Sequence, residues 1–174
     1  MTEQLVGLRQ PDQKSCGAAT LVAARMLLDR EYAATITPDN FDDEVLATHR
    51  RVTRPIDARG ALQLPWPRAL GTPPWAVAHQ LSADDAEHSY AARLVLRRAR
   101  AFDRLVQAPA PSVLYVGSRW LPRHVVLVVE ASATSLRIYE PSRGQLVNVG
   151  RDDFLGSRLD LAGWRKPWFT VIPR

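Results

Sequence analysis

The sequence predicts an α+β fold, with an N-terminal central helix packed on a C-terminal antiparallel β-sheet. Three observations carry this. The run from Cys16 to Leu28 is almost wholly apolar, with Ala18, Ala19, Leu21, Val22, Ala23, Ala24, Met26, Leu27 and Leu28 covering most of a helix surface. Such a helix belongs in a core. The last third of the chain is a succession of short strand-like runs separated by turn residues. Helix first and strands last is the order of an α+β fold rather than of alternating βαβ units.

The elements follow in order. Leu5 to Arg9 is an entry segment, Ser15 stands at the N-cap of the apolar helix, and Asp29-Arg30-Glu31 marks its end. Thr37 and Pro38 open a short acidic helix that runs to His49, since proline suits the first helical position. His49-Arg50-Arg51 is a small basic cluster. The stretch from Pro55 to Pro74 is rich in proline and glycine and carries Trp66. It is too long and apolar for a linker, so a structured surface loop is expected. The segment from Leu64 to Trp75 is read as part of a substrate-facing rim. Thr72-Pro73-Pro74 starts a helix through Leu81. A strand over Tyr90 to Val95 and a helix over Leu96 to Gln107 come next. Strands are expected at Ser112–Gly117, His124–Glu130, Ser135–Tyr139, Gln145–Val149 and Trp168–Ile172, with a helical turn at Asp152–Leu155.

The chain has 174 residues, which suits one domain, 1–174, with a sizeable core. Its 46% apolar and 24% charged residues are ordinary for a globular protein. No apolar run is long enough to span a bilayer. The first residues lack both a basic start and a long apolar stretch, so no secretory signal is expected. The expectation is a cytoplasmic protein, or one exported by a route the sequence does not show. Cys16 is the only cysteine, which rules out an internal disulfide and Cys-type zinc sites. His49, His79, His88 and His124 show no metal-ligand spacing, and neither metal nor cofactor is expected. The net charge is +5, and only Lys14 and Lys166 are lysines. Guanidinium suits an acidic partner, yet arginine-rich codon usage is the plainer account. Arg93, Arg97, Arg100 and Arg104 share one helical stripe opposite Val95, Ala99, Phe102 and Val106. That stripe reads first as a solvated face and second as a site for an acidic partner. Nucleic acid ranks last among partners, for want of any recognisable motif. No pattern specifies an oligomeric state.

The chemistry lies at the two ends of the chain. Cys16 heads the apolar helix, and a thiolate is favoured at a helix N-terminus by unpaired N–H groups and the helix dipole. Position at the head, rather than inside, argues against a thiol buried merely as a small hydrophobe. Gly17 is expected to leave space for a substrate carbonyl. A turn near Ala131 to Thr134 sets His124 directly opposite Glu140, with both side chains on one face. The carboxylate then accepts the imidazole N–H and fixes its tautomer. A neighbouring histidine would complete a thiolate–imidazolium pair. The side-chain amide of Gln10 and the N–H of Cys16 are candidates to hold an oxyanion, with Gln13 a rival to Gln10. His79 and His88 are expected to be surface or structural residues. Trp120 either walls the cleft or packs the core.

Gln10, Cys16-Gly17-Ala-Ala-Thr-Leu, then Arg123-His124-Val-Val-Leu-Val, then Tyr139-Glu140-Pro141-Ser-Arg-Gly144, resembles the papain-like cysteine peptidases of the C39 and C39-like type. The resemblance implies a papain-like fold, with Gln10 as oxyanion donor, Cys16 as nucleophile, His124 as general base and acid, and Glu140 as orienter. It implies a peptide or protein substrate. The family's acidic residue is usually aspartate, and here it is glutamate. Members that process peptide leaders usually carry membrane and ATP-binding parts, which are not seen here, so only the chemistry carries over. The expectation is a cysteine-dependent hydrolase, foremost a peptidase. The alternatives are an acyl transferase or protein-modifying effector with the same site, and an inactive relative that binds peptides or other partners.

Overall fold

The computed structural model describes residues 2–56, 60, 62 and 71–174. Trp66 and most of the expected rim segment lie outside the described residues. After a 3-10 turn, Thr2–Leu5, the helices are α1 (Cys16–Leu28), α2 (Arg30–Thr35), α3 (Pro38–Val52), α4 (Pro74–Asp84), α5 (Arg98–Gln107) and α6 (Arg151–Gly156). The strands are β1 (Tyr90–Leu94), β2 (Ser112–Gly117), β3 (Pro122–Ala131), β4 (Ser135–Glu140), β5 (Gln145–Gly150) and β6 (Lys166–Pro173). They form one antiparallel sheet in the order β1-β6-β2-β3-β4-β5. The α+β expectation stands. The last strand enters the middle of the sheet, between β1 and β2.

Sequence chemistry explains the helix boundaries. Asp29 ends α1 and also caps α2, accepting the N–H groups of Glu31 and Tyr32 at 3.0 Å each. That extra helix was not expected. Thr37 and Asn40 form a capping box, with Pro38 in the first turn, so α3 starts where the sequence placed it. It runs past His49 to Val52, and of the basic cluster at its end His49 is buried while Arg50 is exposed.

The sheet divides two cores. On one side α1, α3 and α4 pack with Val113, Tyr115 and Val171. On the other, α5 and α6 pack with Leu114, Val116 and Ile172. In α1 only Arg25, Leu27 and Leu28 escape full burial, which makes it the central helix that its composition predicts. The inward face of α5 is Ala101, Phe102 and Leu105. Ala99, expected to face inward, is exposed, because the helix begins at Arg98 and turns a slightly different stripe to the sheet. No helix among the described residues is long and apolar enough to cross a membrane.

Candidate active site

Cys16 is the first residue of α1 and is 5% exposed. One turn further on, the buried Thr20 hydroxyl donates to the Val125 carbonyl of β3 at 3.2 Å. Residues four apart share a helix face. This bond therefore fixes the head of α1 beside the start of β3, where His124 stands. The Cys16 side chain lies close enough to His124 to help raise the imidazole pKa. The imidazole Nε2 lies 2.6 Å from Glu140 Oε1. Nδ1 is thus the nitrogen that Glu140 does not engage.

The hairpin that brings His124 and Glu140 together differs from the expected register. Leu127 faces Tyr139 and Val128 faces Ile138, so the same register puts Glu140 opposite Val126, two residues from His124. The two meet diagonally across the strands, not directly. The turn falls later than expected, with the Ser132 N–H bonded to the Ser135 carbonyl at 2.8 Å. Near that turn Ala131 faces Leu136, and a bulge between Val128 and Glu130 then shifts the pairing by one. Without the bulge Glu140 would face Leu127 and project from the side opposite His124, since a one-residue slip exchanges faces. Diagonal neighbours lie roughly 7–8 Å apart, within reach of long side chains. Glutamate, longer than the aspartate usual in the resembling family, suits that span.

Glu140 is held from behind. The Ser142 N–H donates to Oε1 at 2.9 Å, the Ser142 hydroxyl to Oε2 at 2.8 Å and the Arg143 N–H to Oε2 at 3.1 Å. Burial alone would raise the carboxyl pKa. The bonds from His124 and from Ser142 outweigh it and hold the pKa below the ordinary 4.5. Burial alone would lower the imidazole pKa, whereas the hydrogen bonds and charges of Cys16 and Glu140 lift it from 6.5 to about 9. The sequence analysis did not anticipate this clamp. The signal was there: a polar turn directly after a strand-ending acid.

Ser15 is at the N-cap of α1, yet its hydroxyl does not cap the helix. It donates instead to the Asp12 carbonyl at 3.2 Å. The first N–H groups of α1, which no intrahelical carbonyl can satisfy, include that of Cys16. Gly17 does not open space for a substrate. A Cβ there would lie 2.7 Å from Thr72 Cβ, so the glycine admits the close approach of the segment before α4. Tyr115 bonds the same segment, its hydroxyl donating to the Thr72 carbonyl at 2.9 Å, and it lies close enough to feel the charge of Cys16.

Gln10 is placed at the acid end of the site. Its N–H donates to the Pro141 carbonyl at 2.8 Å, while the Gly7 N–H donates to the Gly144 carbonyl at 2.8 Å. Gly144 has φ of 62°, and a Cβ on it would lie 2.6 Å from the Leu8 carbonyl oxygen, so only glycine lets this N-terminal strap lie down. The Gln10 amide donates one proton to the Asp12 carbonyl at 2.6 Å, and its own carbonyl oxygen is buried with no partner among the described residues. No hydrogen bond joins Gln10 to Cys16 or His124 among the described residues. Gln13 is exposed.

The remaining candidates are peripheral. His79 is exposed on α4, and His88 pairs with Asp85. Trp120 is 71% exposed, so it does not pack the core; Arg119 lies over its ring at 4.5 Å. It stands on the β2–β3 turn, four residues before His124. Trp75 packs against the core beside α1.

The fold is similar to that of C39-type peptidase domains. The peptidase domain of Streptococcus ComA, a bifunctional ABC transporter of a quorum-sensing pathway, superposes with a TM-score of 0.51 at 15% identity. The match covers 96% of this chain and 97% of that one. A C39-like peptidase structure from Bacillus anthracis superposes with a TM-score of 0.52 at 11% identity, over 98% of this chain and 96% of that one. No family model matches the sequence, and no curated protein matches it. At these identities the likeness is one of fold.

Proposed function

We propose that this protein is a cysteine peptidase in which Cys16 is the nucleophile, His124 the general base and acid, and Glu140 the orienter of His124. One observation carries the reading: a cysteine at the head of a buried helix lies close enough to an imidazole to raise its pKa, and that imidazole's Nε2 is held 2.6 Å from a clamped carboxylate. The C39-type fold supports the same class of reaction. His124 takes the thiol proton, and the sulfur attacks the amide carbonyl of a peptide or protein substrate. The oxyanion that forms is met by the Cys16 N–H and by the second amide proton of Gln10. His124 then protonates the leaving amine as the C–N bond breaks, leaving a thioester on Cys16. Water, deprotonated by His124, attacks the thioester and releases the acid and the free thiol. Glu140 keeps its charge throughout and stabilises the imidazolium that forms twice in the cycle.

The test is labelling of Cys16 by iodoacetamide at neutral pH, read by mass spectrometry, with and without His124. Labelling should be at least about tenfold slower in His124→Ala, because the imidazole supplies the thiolate. An unchanged rate would sink the couple. A peptide mixture incubated with wild type, with Cys16→Ala as the blank, then reports the product. Free carboxylate ends support hydrolysis, whereas capture by an added amine in preference to water moves the reading to acyl transfer.

A further inference from the structure

We infer that the groove between α5 and the end of β1 is a docking surface for an acidic polypeptide segment that carries aliphatic side chains. The groove, about 160 Å³ in volume, is lined by Arg93 of β1, by Arg97, Arg100 and Arg104 at and along α5, and by Leu94 and Leu96. These residues come from two elements, so the arginines converge on one concavity instead of fanning out from a helix. Among the described residues no carboxylate pairs with any of the four. The one acid of α5, Asp103, is engaged elsewhere, 2.8 Å from Arg151. Four uncompensated guanidinium groups on one concave surface repel each other and produce a local positive potential that favours an anionic partner.

The leucines separate this surface from a merely solvated face. Leu94 is 49% and Leu96 83% exposed, directly beside the arginines. A simple anion would leave them in water. A peptide with carboxylates for the guanidinium forks and an aliphatic side chain for the leucines would use both. The volume is below the usual ~300–1,000 Å³ of small-molecule pockets, as expected for a groove that takes side chains from a chain lying across it. Nucleic acid fits less well, because no aromatic ring lines the groove for base stacking. The groove belongs to the α5 side of the sheet, while α1 packs in the other core. Binding there does not depend on the reaction proposed above.

Fluorescence anisotropy with a short labelled peptide of glutamate and leucine residues tests this, in the full chain with Cys16→Ala so that the peptide is not consumed. Binding should be saturable, should weaken as salt is raised, and should fall about tenfold in the Arg97→Gln/Arg100→Gln double variant. Leu96→Ser should weaken it by a smaller factor. Circular dichroism confirms the fold of each variant. Arg97, Arg100 and Leu96 are all exposed, and should the double variant misfold, Leu96→Ser carries the test alone. Absence of binding at low salt, equal affinity in the variants, or equal affinity for a lysine–leucine peptide would each overturn the proposal. Tighter binding of a single-stranded oligonucleotide of matched charge would overturn the assignment to a peptide.

Discussion

Two histidine–carboxylate pairs in this molecule are built alike and placed differently. Glu140 accepts the N–H groups of residues two and three further on, plus the Ser142 hydroxyl. Asp85 does the same with Glu87 at 2.8 Å, His88 at 3.1 Å and the Tyr90 hydroxyl at 3.0 Å. Both carboxyl pKa values are depressed, against burial, by such bonds. The clamp is therefore a general way to hold a carboxylate at the end of an element. What differs is the histidine. His88 sits in the same local turn as its acid, 3.1 Å from it and 24% exposed, with no thiol beside it. His124 comes from a neighbouring strand, 2.6 Å from its acid and 6% exposed, with Cys16 close enough to help raise its pKa. One pair closes a turn, and the other joins two strands with the Cys16 thiol nearby.

The sharpest way to break the comparison is to remove the nucleophile. Cys16→Ala should abolish peptide cleavage, a loss on the order of 10⁴-fold or more, with the circular dichroism spectrum unchanged. Residual cleavage within about tenfold of wild type would mean that the His124–Glu140 pair is as structural as the other.

Exchanging the two acids sharpens it next. Glu140→Ala should lower kcat roughly 10²- to 10⁴-fold, because the imidazole loses its orientation and the stabilisation of its charged form. Asp85→Ala should leave kcat alone and cost about 1–3 kcal/mol of stability, since it orphans the largely buried Tyr90 hydroxyl and two turn N–H groups. Urea denaturation and initial rates on both variants check this. A matching loss of activity in Asp85→Ala would erase the distinction.

How much of this was legible in the sequence follows the range of each interaction. Helix α1 and the start of α3 at Thr37-Pro38 were readable because apolar pattern and helix-start signals are local. The meeting of His124 with Glu140 was readable because strand spacing is nearly so. The register was not, since a turn placed later and a bulge together moved Glu140 by two positions and happened to restore its face. The insertion of β6 between β1 and β2, and the seat of Thr72 against Gly17, join residues far apart in the chain. Nothing in their local sequence marks them.

The pH dependence of stability tests the active pair more gently. His124 binds its proton more tightly folded than unfolded, so its contribution is whole below its ordinary 6.5 and is lost as pH rises through about 9. Glu140 has the opposite sign: its contribution is present above its ordinary 4.5 and is lost as pH falls through its depressed folded value. The Tm of wild type should therefore decline between about 6.5 and 9, before the buried tyrosines, with ordinary values of 10.0, begin to matter. In His124→Gln that decline should vanish. Its persistence would place the titrating group elsewhere.

The smallest expected effect probes the clamp itself. Ser142→Ala removes the hydroxyl bond to Oε2 and leaves both backbone N–H bonds to Glu140 in place. One hydrogen bond is worth about 0.5–1.5 kcal/mol net, so kcat should fall about two- to tenfold with KM unchanged. Loss of a donor to the charged form also lets the carboxyl pKa rise toward its ordinary 4.5. The acid limb of the kcat profile should then move to higher pH, and Ser142→Thr, which keeps a hydroxyl, should move it back. A purely structural serine would change Tm without moving that limb. The limb, rather than the rate, therefore decides whether the clamp on Glu140 serves the reaction or only closes a turn, as the clamp on Asp85 does.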